Sequence, residues 1–176
     1  CTALTSASLP AGLTTIGAAA FQGCTALPTI SVPGTVAAIP NSAFEDCAAL
    51  KTVTLAAGTT TIGTSAFAKC PAIASISLPA GMTSVGNYAF FGCSALASAT
   101  IPSGVTTIGE KAFKNCTSLP SVTLPATLAN LGAAAFFNTG LTTATVPGSV
   151  AEVKDYTFQK CAALKGVTLS YGVQSI

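Results

Sequence analysis

The sequence contains no histidine, no arginine and no tryptophan, and only 7% of its 176 residues are charged. Each shortage removes a class of function. Without histidine, a serine or cysteine nucleophile lacks its commonest general base and a metal lacks its commonest nitrogen ligand. No Cys-x-x-Cys spacing replaces it, so neither a metal nor any other cofactor is expected. Without arginine, the seven lysines and the net charge of +2 supply neither a basic stripe nor the forked donors that read base edges, which sets nucleic acid aside as a partner. No apolar run approaches the ~20 residues of a membrane span, so direct membrane insertion of this segment is not expected. Nothing resembles a phosphate-cradling glycine loop.

Hydrophobic residues make up 50% of the chain. A globule of ordinary composition carries about 25% charged residues, and here serine and threonine take over the solubilising role. The apolar residues recur. Phe21, Phe44, Phe67, Phe90, Phe113 and Phe136 are 23 residues apart and Phe158 follows after 22, so one residue is lost between the last two units. Leu4, Leu27, Leu50, Ile73, Leu96, Leu119, Leu141 and Leu164 keep the same period. A fixed period in the twenties is the signature of a solenoid whose coils bury their apolar faces only by stacking.

One coil, Leu27 to Cys47, reads "LPTISVPGTVAAIPNSAFEDC". Thr29-Ile30-Ser31-Val32 alternates polar and apolar with period two and predicts a half-buried strand, which Pro33-Gly34 ends as a turn. Val36-Ala37-Ala38-Ile39 predicts a second extended segment with Val36 and Ile39 inward. Pro40 follows, where other coils carry Gly17, Gly63, Gly86, Gly109 and Gly132. Ser42-Ala43-Phe44 then suits a single tight helical or 3-10 turn that drops Phe44 into the core. In-register parallel stacking places like residues over like about 4.8 Å apart.

The repeated pattern L-x-x-[VIA]-[ST]-[LIV]-P-x-x-[VLT]-x-x-[IV]-G-x-x-A-F-x-x-C resembles the BspA-like subclass of leucine-rich repeats across essentially the whole chain. The resemblance implies a β-rich leucine-rich repeat solenoid at the cell surface or outside the cell, in a family that includes adhesins of host matrix or other cells. It carries over no universal binding residue. The chain starts at the phase of Cys24 and stops at the phase of Ile16, so residues 1–176 read as one domain, a segment of a longer array cut in mid-repeat at both ends.

The cysteines occupy one slot of the coil, and Thr139 takes that slot once, in "AAAFFNT". A ladder of stacked disulfides fits this poorly, because parallel side chains in register point the same way. The expected role is a small buried side chain. The charged residues fall on turns and ridges: Glu45, Asp46, Lys69, Lys114 and Lys160 just after the phenylalanine, and Glu110, Lys111, Lys154 and Asp155 before it. These read as solubilising ridges, and no enzymatic activity is expected.

The uniform surface is the outward side of the first strand. Its candidate ligand-binding residues are Thr29, Ser31, Thr52, Thr54, Ser75, Ser77, Ser98, Thr100, Ser121, Thr123, Thr143 and Thr145. Four readings fit such a face. Hydroxyls suit exposed strand positions for structural reasons alone. They would also serve a recognition face for a host or neighbouring-cell surface protein, a matrix protein or a glycan, although no aromatic or arginine anchor lies among them. Regular Thr-x-Thr rows would order water as an ice-binding plane, except that serine fills half of them. Finally, open coil edges would let the molecule associate end to end as a stalk or filament, with the sequon Asn115-Cys116-Thr117 available for a sugar. Adhesion or ligand binding by a non-enzymatic surface protein is the leading expectation.

Overall fold

The computed structural model describes residues 1–176. Its strands fall into two series, and every pairing between them is parallel. The first series comprises β1 (Thr29–Val32), β3 (Thr52–Leu55), β5 (Ser75–Ser77), β7 (Ser98–Thr100), β10 (Thr143–Val146) and β11 (Gly166–Leu169). The second comprises β2 (Ala38–Ile39), β4 (Thr61–Ile62), β6 (Ser84–Val85), β8 (Thr107–Ile108) and β9 (Asn130–Leu131). Register follows the repeat, with Thr29 opposite Thr52 and Ile39 opposite Ile62. The alternation predicted for the first strand holds: Ile30 and Val32 are buried while Thr29 and Ser31 are exposed.

A single core of 39 buried residues runs along the solenoid. Its spine is a column of seven phenylalanines, Phe21 through Phe158. Neighbouring ring centroids are 5.3–6.0 Å apart and the ring planes lie within 15° of parallel. The five middle rings have no solvent exposure.

The segment that carries each phenylalanine departs from expectation, because it forms no helical or 3-10 turn. It is a run of overlapping turns in which Ser42 and Asp46 adopt left-handed conformations, with φ of 54° and 59°. A helix needs negative φ throughout, and two left-handed residues four apart prevent it. The alternation turns successive amides in different directions. The N–H groups of Ala43 and Glu45 close local turns onto the carbonyls of Pro40 and Ser42. Those of Ser42, Phe44 and Asp46 donate to Thr64, Ala66 and Ala68 of the next coil, at 2.8–2.9 Å. Inter-coil bonding thus replaces the intrahelical bonds and satisfies the buried backbone.

Two further columns depend on close approach. A Cβ on Gly86 would lie 2.7 Å from the Ile62 carbonyl oxygen, so glycine is required there to let the coils stack. In the cysteine slot, Cys47, Cys70, Cys93 and Cys116 each donate a thiol hydrogen bond of 3.0–3.2 Å to the phenylalanine carbonyl of the preceding coil. Six cysteines are buried, Cys1 is exposed, and all seven are free. Burial pushes the Cys93 thiol up to about 12 and the Cys116 thiol well above the ordinary value. Thr139 is hydrogen-bonded differently in this slot: its Oγ1 donates to the Phe136 carbonyl of its own coil at 2.9 Å and lies 3.1 Å from the Cys161 Sγ.

Candidate binding face

All twelve hydroxyl residues singled out on the first strand are exposed. Ten lie in β1, β3, β5, β7 and β10. Ser121 and Thr123 occupy the same phase of their coil, but that stretch pairs with no neighbour and forms no strand.

The hydroxyls of the molecule divide sharply by location. On the second segment they serve the fold. Thr60, Thr83 and Thr106 each donate to a carbonyl of the preceding coil at 3.1–3.3 Å, and the buried Thr59 donates to Val36 at 2.9 Å. Turn threonines behave alike, Thr127 reaching Val105 at 3.0 Å. None of the twelve first-strand hydroxyls makes a side-chain hydrogen bond within the chain. Cross-strand hydroxyl pairing therefore does not account for them. Their donors and acceptors all face solvent.

The backbone beneath that face is not one ladder. The second series forms a continuous five-stranded sheet, whereas the first is split into the pairs β1–β3, β5–β7 and β10–β11. Proline explains most of the division. The N–H that follows the strand supplies the last rung to the preceding coil: Ala56 donates to Val32 at 3.1 Å and Ser170 to Val146 at 3.0 Å. The four open steps are those into the coils where Pro33, Pro79, Pro125 and Pro147 stand at this place, and proline has no N–H to give. The step into Pro102 pairs nonetheless, with Leu78 donating to Thr100 at 3.3 Å. Two open steps form shallow grooves. One, of about 310 Å³, lies between β3 and β5 and is lined by Val53, Thr54, Leu55, Ser77, Leu78 and Pro79. The other, of about 330 Å³, runs from Ser121 and Thr123 to Thr143 and Thr145. The face thus offers hydroxyl rows interrupted by troughs, with no charge on any of the twelve.

Nowhere do three or more Cys, Asp or Glu side chains gather as metal ligands would, and no helix is long and apolar enough to cross a membrane. Ion pairs are sparse. Lys69 lies 3.6 Å from Asp46, and Lys111 lies 2.7 Å from Glu110, whose carboxyl it holds below its ordinary value. Aromatic side chains are absent from the hydroxyl face but not from the molecule: Tyr88, Phe91 and Phe137 sit half-exposed on the phenylalanine turns. Their signal in the sequence is that Phe91 and Phe137 stand where the other coils carry Gln22, Glu45, Ala68, Lys114 and Gln159, and Tyr88 where three earlier coils carry Ala19, Ser42 and Ser65.

Parallel coils of this period, an inward leucine and phenylalanine column and a strand-lined outer face define a leucine-rich repeat protein. The pattern described as "BspA type Leucine rich repeat region" matches in 6 copies over residues 1–107 and 83–176, and the chain belongs to that family. Among solved structures it is similar to a leucine-rich repeat protein from Bacteroides ovatus, with 35% identity and a TM-score of 0.83, covering 90% of this chain and 41% of that one. A leucine-rich repeat protein of T. pallidum is 28% identical with a TM-score of 0.77, covering 80% of this chain and 69% of that one. A leucine-rich cell surface protein from Faecalibacterium prausnitzii shares the fold at 24% identity and a TM-score of 0.51, over 86% of this chain and 62% of that one. This chain therefore spans less than half of the Bacteroides protein. No curated protein matches the chain.

Proposed function

We propose that this is a non-enzymatic repeat protein, displayed at the cell surface or outside the cell, that mediates adhesion or ligand binding through its Ser/Thr-lined strand face. The observation that carries the reading is the division of hydroxyls: those of the second segment and turns are consumed by backbone carbonyls, while the twelve on the first strand have no partner within the chain. Exposed, unengaged donors and acceptors repeated coil after coil suit a host or neighbouring-cell surface protein, a matrix protein or a glycan that also repeats its contacts. With no aromatic or arginine anchor on the face, each contact is weak and affinity comes from multivalency. The similarity to a protein named as a cell surface protein supports the same location.

An ice-binding role draws on the same face, and the open steps count against it because they interrupt the even row spacing that a lattice match needs. A filament role would need the coils of separate molecules to pair end to end. Solid-phase binding of the segment to matrix proteins, cells and glycans tests the first reading. Attachment that the substitutions Thr54→Lys and Thr100→Lys abolish supports it, and attachment indifferent to both refutes it. Thermal hysteresis would favour ice, and long fibres under the electron microscope would favour the filament.

A further inference from the structure

A second surface, on the phenylalanine turns, has a different chemistry. One residue past the core ring, three successive coils carry Phe91, Lys114 and Phe137, and in the adjoining column, one residue further on, the flanking coils carry Lys69 and Lys160, so that taken coil by coil cation and aromatic ring alternate across two neighbouring columns. Phe137 is flanked by cations. The Lys114 Nζ is 4.4 Å from the Phe137 centroid and the Lys160 Nζ 5.4 Å from the same centroid, so one ring sits within reach of two ammonium groups. Phe91 packs edge-on to Tyr88 at 6.0 Å, and Tyr88 in turn lies 5.0 Å from the Lys111 Nζ.

The charges on this rail are not neutralised where they matter. The only ion pairs in the molecule are Lys69 with Asp46 and Lys111 with Glu110, so Lys114 and Lys160 have no carboxylate partner. Between Phe91 and Lys160 the two rail positions of each coil read Phe91-Gly92, Lys114-Asn115, Phe137-Asn138 and Gln159-Lys160, without an acid. Lys69, Lys114 and Lys160 recur on every second coil. At one strand spacing per coil, that is a charge roughly every 9.6 Å.

The geometry points to this rail as a docking surface for a linear anionic polysaccharide, one that carries sulfate or carboxylate groups on alternate sugars. Its charged groups pair with the unneutralised ammonium groups, and the apolar C–H faces of the intervening sugars lie against Phe91 and the exposed edge of Phe137. An acidic peptide would answer the lysines, but it offers the rings no apolar face in the same alternation. This surface is separate from the hydroxyl strand face, and it binds whether or not that face does.

The test uses heparin as the probe, with neutral dextran and polyglutamate as comparators, by calorimetry at one low ionic strength. Heparin binds, and dextran and polyglutamate are weaker by at least about tenfold. The pair Lys114→Gln with Lys160→Gln and the pair Phe91→Leu with Phe137→Leu each weaken heparin by about tenfold or more, while Lys51→Gln with Lys165→Gln, exposed lysines off the rail, leaves it unchanged. The substituted side chains lie on the surface, and an unchanged unfolding midpoint verifies the fold of each variant. No heparin binding, polyglutamate binding as tightly, or indifference to the Phe→Leu pair overturns the proposal. Equal loss in the Lys51 and Lys165 variant also overturns it, since the binding would then follow net charge alone.

Discussion

Replacing Phe90 with alanine tests the physical basis of the stack. Phe90 is fully buried between Phe67, with centroids 5.6 Å apart, and Phe113, at 5.3 Å. Truncating a buried phenylalanine costs about 3–5 kcal/mol from lost transfer free energy and the cavity left behind. Two ring pairs at about 0.5–1.5 kcal/mol each disappear as well, which places Phe90→Ala near the top of that range, about 5 kcal/mol. Phe158 is only partly buried and has one ring neighbour, Phe136, at 6.0 Å. Its replacement by alanine therefore costs less than half as much, about 2 kcal/mol. Cys93→Ala removes a small side chain and one thiol bond of 3.2 Å to the Phe67 carbonyl, a loss of about 1–2 kcal/mol. Urea unfolding of the three variants measures all of these. A Phe90→Ala loss below about 2 kcal/mol, or equal losses at Phe90 and Phe158, would refute a core organised around a continuous ring column.

Three other outcomes follow from the same structure. Because burial raises the Cys93 thiol from 9.0 to about 12, its protonated form is stabilised in the fold; that contribution is complete below pH 9.0 and is lost as pH rises towards about 12. At about pH 10 the loss is roughly 1–2 kcal/mol for this thiol, so the urea midpoint should fall between about pH 8 and 10, and a Cys93→Ala variant that falls as steeply would contradict the assignment. Pro79→Ala should give residue 79 an amide that bonds to the Leu55 carbonyl and closes the step between β3 and β5, read as slowed hydrogen exchange at that amide; free exchange there would show that proline is not what opens the ladder. Ser65, with φ of 56°, is strained where glycine would not be, so Ser65→Gly should raise stability by about 0.5–1 kcal/mol in the same urea assay and Ser65→Val should lower it.

The period, the inward columns and the outward hydroxyls were legible in the sequence because each depends on side-chain alternation alone, and the structure follows them from Thr29 to Val146. The phenylalanine turn was not. Ser42-Ala43-Phe44 is locally compatible with a helical turn, and only the carbonyls of the next coil, at Thr64 and Ala66, decide in favour of left-handed residues. The prolines read as turn punctuation, and their second effect is visible only once a register is known, since Ala56 and Ser170 supply the rungs that Pro33, Pro79, Pro125 and Pro147 cannot. The cysteine slot was recognised as small and buried, but its hydrogen bond to a neighbouring coil's carbonyl needs the stacking geometry. The division between engaged and free hydroxyls is likewise invisible in sequence, because Thr60 and Thr54 belong to the same residue type and differ only in what lies one coil away.

We propose that the adhesion ligand meets the free hydroxyls of the strand face, a surface separate from the phenylalanine turns that take the anionic polysaccharide. Amide hydrogen exchange of the segment bound to its attachment partner, compared with the unbound segment, measures this directly. Protection confined to β3, β5, β7 and the Ser121–Thr123 stretch is the predicted footprint. Protection centred on β2, β4, β6 and β8, or on β11 and the final turn, with the hydroxyl strands unchanged, would contradict it.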